Sequence, residues 1–185
     1  MLNEVYEDTN SKMQKTIDSF KKDLSKIRTG RANPSVLEDL KINYYNTPTP
    51  LKQLAGIAVP EPRLIVIQPW DKSALGEIEK AIMTADLGFN PNNDGNIIRI
   101  PIPPLTEETR KEIVKKVKKM AEEAKIAIRN IRQESNDLIK ELEKGKDISE
   151  DEKHSGFTHV QKIHDDYIVK VNDIAEKKEK EIMEI

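Results

Sequence analysis

Apolar residues recur along the first 30 positions at intervals of three and four: Val5, Met13, Ile17, Phe20, Leu24 and Ile27, with Thr9 as a polar member of the series. That spacing places them on one stripe of a 3.6-residue helix, with Lys and Asp on the remaining faces. Gly30 stops the pattern and is expected to cap this first helix. Two more stripes follow residue 105. The first is opened by Thr106, with Glu107 and Glu108 where acids suit the helix dipole. Its seam reads Ile113, Val117, Met120, Ala124, Ala127, Ile131, Ser135, Leu138 and Leu142, until Gly145 breaks it. Ser149 to Glu152 has the form of a capping box. The last stripe then runs through Val160, Ile163, Tyr167, Val171, Ile174, Ile182 and Ile185, with Lys178 as its one polar step.

Between residues 31 and 104 the texture changes, and all ten prolines of the chain fall there. Short β-branched runs at 40–45, 56–59, 64–67 and 97–102, bounded by Pro, Asn and Gly, predict strands of a small sheet. One helix interrupts them, with Asp71 or Ser73 as N-cap, Leu75, Ile78, Ile82 and Ala85 as its apolar face, and Gly88 after its end. Trp70, the only tryptophan, follows a proline-rich rim of Pro60, Pro62 and Pro69, and is expected to pack the small core beside Ile67 and Ile78.

The long helices span roughly 40 to 57 Å at 1.5 Å per residue, and none can bury its stripe alone. Two of them are joined by one short loop, which calls for an antiparallel three-helix bundle. The expected fold is α+β: an elongated bundle built from 1–30 and 105–185, with a small α/β domain of sheet plus one helix, 31–104, inserted into it. Two connections tie the domains together, at Gly30-Arg31 and at Ile102-Pro103-Pro104, and a paired connection of this kind permits hinge motion.

Composition removes several kinds of chemistry. The chain has no cysteine, so a disulfide framework, a thiolate metal site and a cysteine nucleophile are excluded. No apolar run approaches the roughly 18–20 residues needed to span a bilayer. The acidic N-terminal segment lacks an apolar stretch, so no signal peptide and a cytoplasmic location are expected. His154, His159 and His164 are spaced five apart; each step turns roughly 140° around a helix, so they share no face and are expected to point into solvent. There is no Gly-x-Ser-x-Gly elbow and no glycine-rich phosphate loop. No catalytic residue, metal or cofactor is expected.

Charge is more informative than its total of −2. From Arg110 to Arg132 nine basic residues face three acids, a net of +6, and from Gln133 onward the net is −6. Lys111, Lys115, Lys118, Lys125, Arg129 and Arg132 fall within about 100° of helical arc, roughly opposite the apolar seam. Glu122 dilutes that face, and Ile126 is an exposed apolar residue within it. One reading is a solvated face that keeps the bundle soluble; the other is a stripe that tracks phosphates, which Arg28 and Arg31 would extend near the hinge. The lack of aromatics on this face argues against base stacking and for recognition of folded RNA by shape and backbone.

Several motifs carry a family resemblance: residues 25–34 (SKIRTGRANP), 44–50 (YYNTPTP), 68–73 (QPWDKS), 86–91 (DLGFNP) with 93–95 (NDG), and 127–132 (AIRNIR). Together, in order and along essentially the whole chain, they resemble the bacterial ribosome recycling factors. The resemblance implies an L-shaped factor that binds the post-termination ribosome near the A and P sites, chiefly on large-subunit ribosomal RNA. With the GTPase elongation factor G it would split the ribosome, releasing messenger and deacylated transfer RNA. By that resemblance Arg129 and Arg132 match the family's RNA contacts most clearly, and Arg28, Arg31 and Arg110 match its other arginines around the ribosome-facing bundle. Two departures stand out. Gln133 replaces an arginine of many relatives, and the run from His154 to His159 contains Gly156, which is expected to weaken the start of the third helix by about 1 kcal/mol.

The resulting expectation is a monomeric, non-enzymatic translation factor that binds no membrane. Its RNA-binding set is Arg28, Arg31, Arg110, Lys111, Lys118, Lys125, Arg129 and Arg132. A helical scaffold or coiled-coil adaptor is the structural rival and predicts an obligate dimer. An enzyme is the other rival, for which no glycine loop or His/carboxylate cluster speaks.

Overall fold

The computed structural model describes residues 1–184; Ile185, expected on the third helical seam, lies outside them. The chain divides into two compact units, one of residues 1–27 with 107–184 and one of residues 28–106.

The first unit contains three long helices: α1 (Leu2–Ser25), α5 (Glu107–Lys144) and α6 (Glu150–Met183). Their stripes meet in one thin core: Met13, Ile17, Phe20 and Leu24 of α1 pack with Val117, Ala121, Ala124 and Ile128 of α5 and Ile163, Tyr167, Val171 and Ala175 of α6. At the other end of the bundle Ile139, Ile148 and Val160 pack with Leu2, Val5 and Tyr6. The start of α1 therefore lies beside the end of α5 and the start of α6, and α5 runs antiparallel to both. The buried polar pair of the interior is Thr9 and Ser135, whose hydroxyls are 2.7 Å apart. Each hydroxyl also lies within bonding distance of its own helix's carbonyl, Val5 O at 2.6 Å and Ile131 O at 2.9 Å. Two protons serve these three contacts, so one of the two hydroxyls donates across the helix interface while the other bonds back into its own helix.

The helix ends have local causes. Helix α1 stops at Ser25, five residues before Gly30, because its last turn tightens: the N–H groups of Lys26 and Ile27 reach back three residues to Asp23 and Leu24. Gly30 is thus not its cap. It is buried at φ +79°, and a Cβ there would stand 3.1 Å from Leu105 Cγ, so both backbone angle and space require glycine. Helix α5 ends in a Schellman motif, in which Asp147 N–H reaches Leu142 O and Lys146 N–H reaches Glu143 O. The left-handed residue is Lys146 (φ 61°), one position after the glycine. The capping box at Ser149 is formed, with Ser149 Oγ accepting from Glu152 N–H and Ser149 N–H donating to Glu152 Oε2.

Three expectations about the bundle are corrected. The buried face of α5 is centred on Val117, Ala121, Ala124, Ile128, Ser135 and Ile139, while Leu138 is exposed. Because α5 is flanked by two helices, its buried arc is broad, and it is rotated toward the basic arc relative to the simple seam. His164 is buried rather than solvent-facing, since the steps 160, 164, 167, 171 carry it along the α6 seam. Gly156 is buried on the same seam, inside an unbroken α6. A Cβ there would lie 3.2 Å from Ile139 Cδ1 and 3.4 Å from Leu2 Cδ2, so the glycine lets α6 approach its neighbours closely.

The second unit holds a four-stranded antiparallel sheet in the order β3-β4-β6-β5 (Ala55–Glu61, Leu64–Pro69, Ile98–Pro101 and Asn92–Asn93). Ile65, Ile67, Ile98 and Ile100 point inward at alternate positions and meet Leu75, Ile78 and Ile82 of α4 (Leu75–Thr84). Asp71 accepts from Ser73 N–H at 2.9 Å and caps the single 3-10 turn that leads into α4. A separate hairpin, β1 (Lys41–Tyr44) and β2 (Thr47–Pro50), adds a strand that composition hides. Pro48 and Pro50 are tolerated because β2 pairs on one side only, and Tyr45 and Asn46, both at positive φ, form the two-residue turn. Short helices α2 (Ser35–Glu38) and α3 (Leu51–Leu54) connect these pieces. Trp70 is not in the core; it is 73% exposed. Alternation along β4 turns Ile65, Ile67 and Pro69 inward and so turns Trp70 outward, where its ring lies along Gly56.

The close packing at Gly156 gives opposite expectations for a surface and an interior glycine. Gly156→Val should lower the unfolding free energy by about 1–3 kcal/mol through overpacking against Ile139 and Leu2, measured by urea denaturation. A gain in stability would mean that the site is open and that the glycine merely weakens the helix.

Candidate nucleic-acid interface

The basic side chains singled out on α5 do share a face, and the structure adds what each of them touches. Lys111 Nζ pairs with Glu107 Oε1 at 2.6 Å, an i,i+4 contact on the first turns. Lys118 reaches across to α6, where Glu179 Oε2 stands at 3.9 Å. Lys125 and Arg129 share one carboxylate: Arg129 Nη1 is 3.0 Å from Glu122 Oε1, and Lys125 Nζ is 4.0 Å from Glu122 Oε2. Arg132 takes a neutral partner instead, donating from Nη1 to Gln161 Oε1 at 3.1 Å. Lys115, Lys116 and Lys119 are exposed and make no ion pair among the described residues.

Burial grades the set. The rotation of the α5 seam toward the basic arc leaves Lys125 and Arg132 half-buried at the edge facing α6, while Lys111, Lys118 and Arg129 stand in solvent. Arg110, at the start of α5, is half-buried too, and its Nε is enclosed without a hydrogen-bond partner. Ile126 is 46% exposed in the middle of the stripe. Gln133, in place of a further charge, lies along the helix and donates to both oxygens of Asp137 at 3.0 and 3.1 Å. Lys140 with Gln133 holds the Asp137 carboxyl below the usual carboxylate range.

Arg28 and Arg31 are placed differently. Both belong to the unit of residues 28–106, beyond the end of α1. Arg28 is exposed, and its guanidinium carbon lies 5.6 Å above the centre of the Phe89 ring, a cation–π contact within that unit. Arg31 is exposed. The strands expected to bend are anchored there as well: Ala32 N–H donates to Pro62 O and Ile102 N–H to Arg63 O, each at 2.8 Å, so both chain segments are held by the β3–β4 turn.

Gln161 was not among the residues that sequence reasoning selected. Its neighbours on α6 are legible, since Asp165 is one turn on, but its meeting with Arg132 depends on the register of α5 against α6, which no local pattern encodes. Among the described residues no group of three or more His, Asp or Glu side chains is placed to hold a metal ion, and no helix is long and apolar enough to cross a membrane. What the face offers chemically is a row of cations, two of them arginines able to present planar donor forks to phosphate.

Comparison with known proteins shows the family to which the chain belongs. The sequence model of the family described as ribosome recycling factor matches residues 20–183. The ribosome-recycling factor of Syntrophomonas wolfei is 55% identical over 185 residues, and that of Bacillus licheniformis 54%, in both cases over the full length of both chains. Among solved structures, a solution structure of the ribosome recycling factor superposes with a TM-score of 0.81 at 42% identity, covering 100% of this chain and 98% of that one. A second, at 49% identity and a TM-score of 0.66 over 99% of both chains, is the T. thermophilus ribosome recycling factor, described together with E. coli elongation factor G as bound to the E. coli post-termination complex. A helical bundle joined to a small sheet unit, matched over its whole length by these proteins, places the chain in the ribosome recycling factor family.

Proposed function

We propose that this chain binds the post-termination ribosome and, with elongation factor G, splits it into subunits, releasing messenger and deacylated transfer RNA for a new round of synthesis. The observation that carries the reading is the full-length relation to a recycling factor described with elongation factor G on a post-termination complex. Its site of action is the cytoplasm, where the ribosomes are.

The RNA contact is the basic face of α5, set against large-subunit ribosomal RNA near the A and P sites. Arg129 and Arg132 make the central phosphate contacts, Lys111, Lys118 and Lys125 extend them along the helix, and Arg110, Arg28 and Arg31 contribute toward the hinge. Support comes from the charge segregation, a net of +6 over residues 110–132 beside −6 over residues 133–185, which orients one side of the bundle toward a polyanion. The protein performs no chemistry. A bundle whose longest helix measures about 57 Å transmits force as a stiff bar, while GTP hydrolysis on elongation factor G supplies the work. The two chain segments between the units, with Gly30, Arg31, Ile102, Pro103 and Pro104 as their anchors on the sheet unit, form the hinge that lets one unit move while the other stays bound.

Co-sedimentation with large ribosomal subunits across a salt series tests the RNA face. Arg132→Ala should weaken binding and flatten the slope of log affinity against log salt by roughly 0.7–0.9, the signature of one lost phosphate contact. Unchanged affinity and slope would remove Arg132 from the interface, and a wild-type protein that failed to sediment would remove the whole reading. For the hinge, a cross-link between the two connecting strands should spare ribosome binding and stop splitting; full splitting by the locked protein would show that bending is dispensable.

A further inference from the structure

We infer that Gln161, on α6, is a positioning residue for RNA binding: its neutral amide oxygen holds the Arg132 guanidinium in place without neutralising its charge. The inference rests on the reading of Arg132 as a phosphate contact.

The two partners of the Gln161 amide decide which way it faces. Gln161 Nε2 donates to Asp165 Oδ1 at 2.8 Å, and Gln161 Oε1 accepts from Arg132 Nη1 at 3.1 Å. A flipped amide would set its oxygen against a carboxylate oxygen and its NH2 group against a guanidinium, two repulsive contacts in place of two hydrogen bonds. The orientation is therefore fixed by charge at both ends. Asp165 is in turn held by His164, whose Nδ1 lies 2.9 Å from the same Oδ1, and His164 is itself buried in the α6 seam. The hydrogen bond from His164 is the largest influence keeping the Asp165 carboxyl below the usual carboxylate range, so the anchor stays ionised at neutral pH. A chain of contacts thus runs from the bundle interior to the guanidinium: His164, Asp165, Gln161, Arg132.

The partner's neutrality matters as much as its place. Arg129, nearly one turn earlier on the same face, rests on the Glu122 carboxylate at 3.0 Å, and a phosphate that takes Arg129 must first displace that counter-charge. Arg132 has no carboxylate within ion-pair distance among the described residues, and one of its five N–H groups is used by Gln161. Asp165 stands on the far side of the amide, outside ion-pair distance of Arg132. A guanidinium already held in one orientation loses less side-chain entropy on binding. It also keeps its full charge for the RNA. An amide meets both needs, where a carboxylate would meet only the first.

The test is a double-mutant cycle read by co-sedimentation with large subunits over the same salt series. Gln161→Glu keeps an acceptor for Arg132, adds a charge and gives up the hydrogen bond to Asp165, and at an exposed position it leaves the fold intact, checked by an unchanged melting curve. It should flatten the salt slope by roughly 0.7–0.9, as Arg132→Ala does, and should cost little further affinity once Arg132 is already Ala. Gln161→Met, which removes the acceptor without adding charge, should weaken binding several-fold at an unchanged slope. If Arg132→Ala binds like wild type, the phosphate contact fails and this inference with it. If Arg132→Ala is impaired while Gln161→Glu and Gln161→Met bind like wild type, the contact stands and the positioning role is overturned. An equal loss from Gln161→Glu in both backgrounds also overturns it, because the added charge would then act on the RNA directly and not through Arg132.

Discussion

Three amphipathic helices, none able to hide its apolar stripe alone, bury those stripes against one another, and every other property of the bundle depends on that mutual burial. The core is one residue deep on each helix, so it consists of a single file of Met13, Ile17, Phe20, Val117, Ile128, Val171 and their neighbours. Small residues stand within the helix interfaces, Ala121 and Ala124 in the shared core and Gly156 against Ile139 and Leu2 toward the far end. A core this thin leaves most of each helix in solvent, which explains why the chain is 35% charged yet ordered along helices as long as 38 residues.

That exposure is also what makes charge available for a task. On α5 the cations gather on the flank beside α6, and most of them are already engaged by an acid or an amide of the protein itself. Exposed ion pairs of this kind are worth about 0–1 kcal/mol each and are easily exchanged for a phosphate. In the free protein they hold long side chains along the face. Glu122 and Gln161 are two versions of the device, one charged and one neutral, and the difference sets Arg132 apart from Arg129.

Much of this was legible in the sequence, and the misses share a physical pattern. The three stripes, the turn at Gly145, the capping box at Ser149 and the strand runs follow from periodicity and local hydrogen bonding, which a sequence displays directly. Trp70, expected in the core by its size, is turned outward by the same alternation that turns Ile65, Ile67 and Pro69 inward. His164 is expected in solvent because five-residue steps share no face, and Gly156 is expected to weaken the helix by its residue type, yet their spacing from Val160 and Tyr167 puts both on the buried seam. Strand β2 was hidden by Pro48 and Pro50, which exclude a central strand but not an edge. The early end of α1 was hidden because Lys26 and Ile27 continue the polar and apolar pattern while the turn tightens. Of the candidate interface, the clustering of Lys111, Lys118, Lys125, Arg129 and Arg132 could be read from helical phase. The contact of Arg132 with Gln161 could not, because it depends on how two helices slide against each other, and burial energy sets that slide through side-chain fit along their whole length.

The central claim is that one side of the bundle, the outer face of α5, lies against ribosomal RNA. The chain has no cysteine, so a single cysteine can carry a probe at a chosen place. The direct measurement is hydroxyl-radical cleavage of large-subunit RNA from iron tethered at Ile126→Cys, compared with Val169→Cys, which is exposed on the outward side of α6. An α5 face set against the RNA gives strong, localised cuts from position 126 and weak or absent cuts from position 169. Cleavage from position 169 with none from position 126 would contradict it.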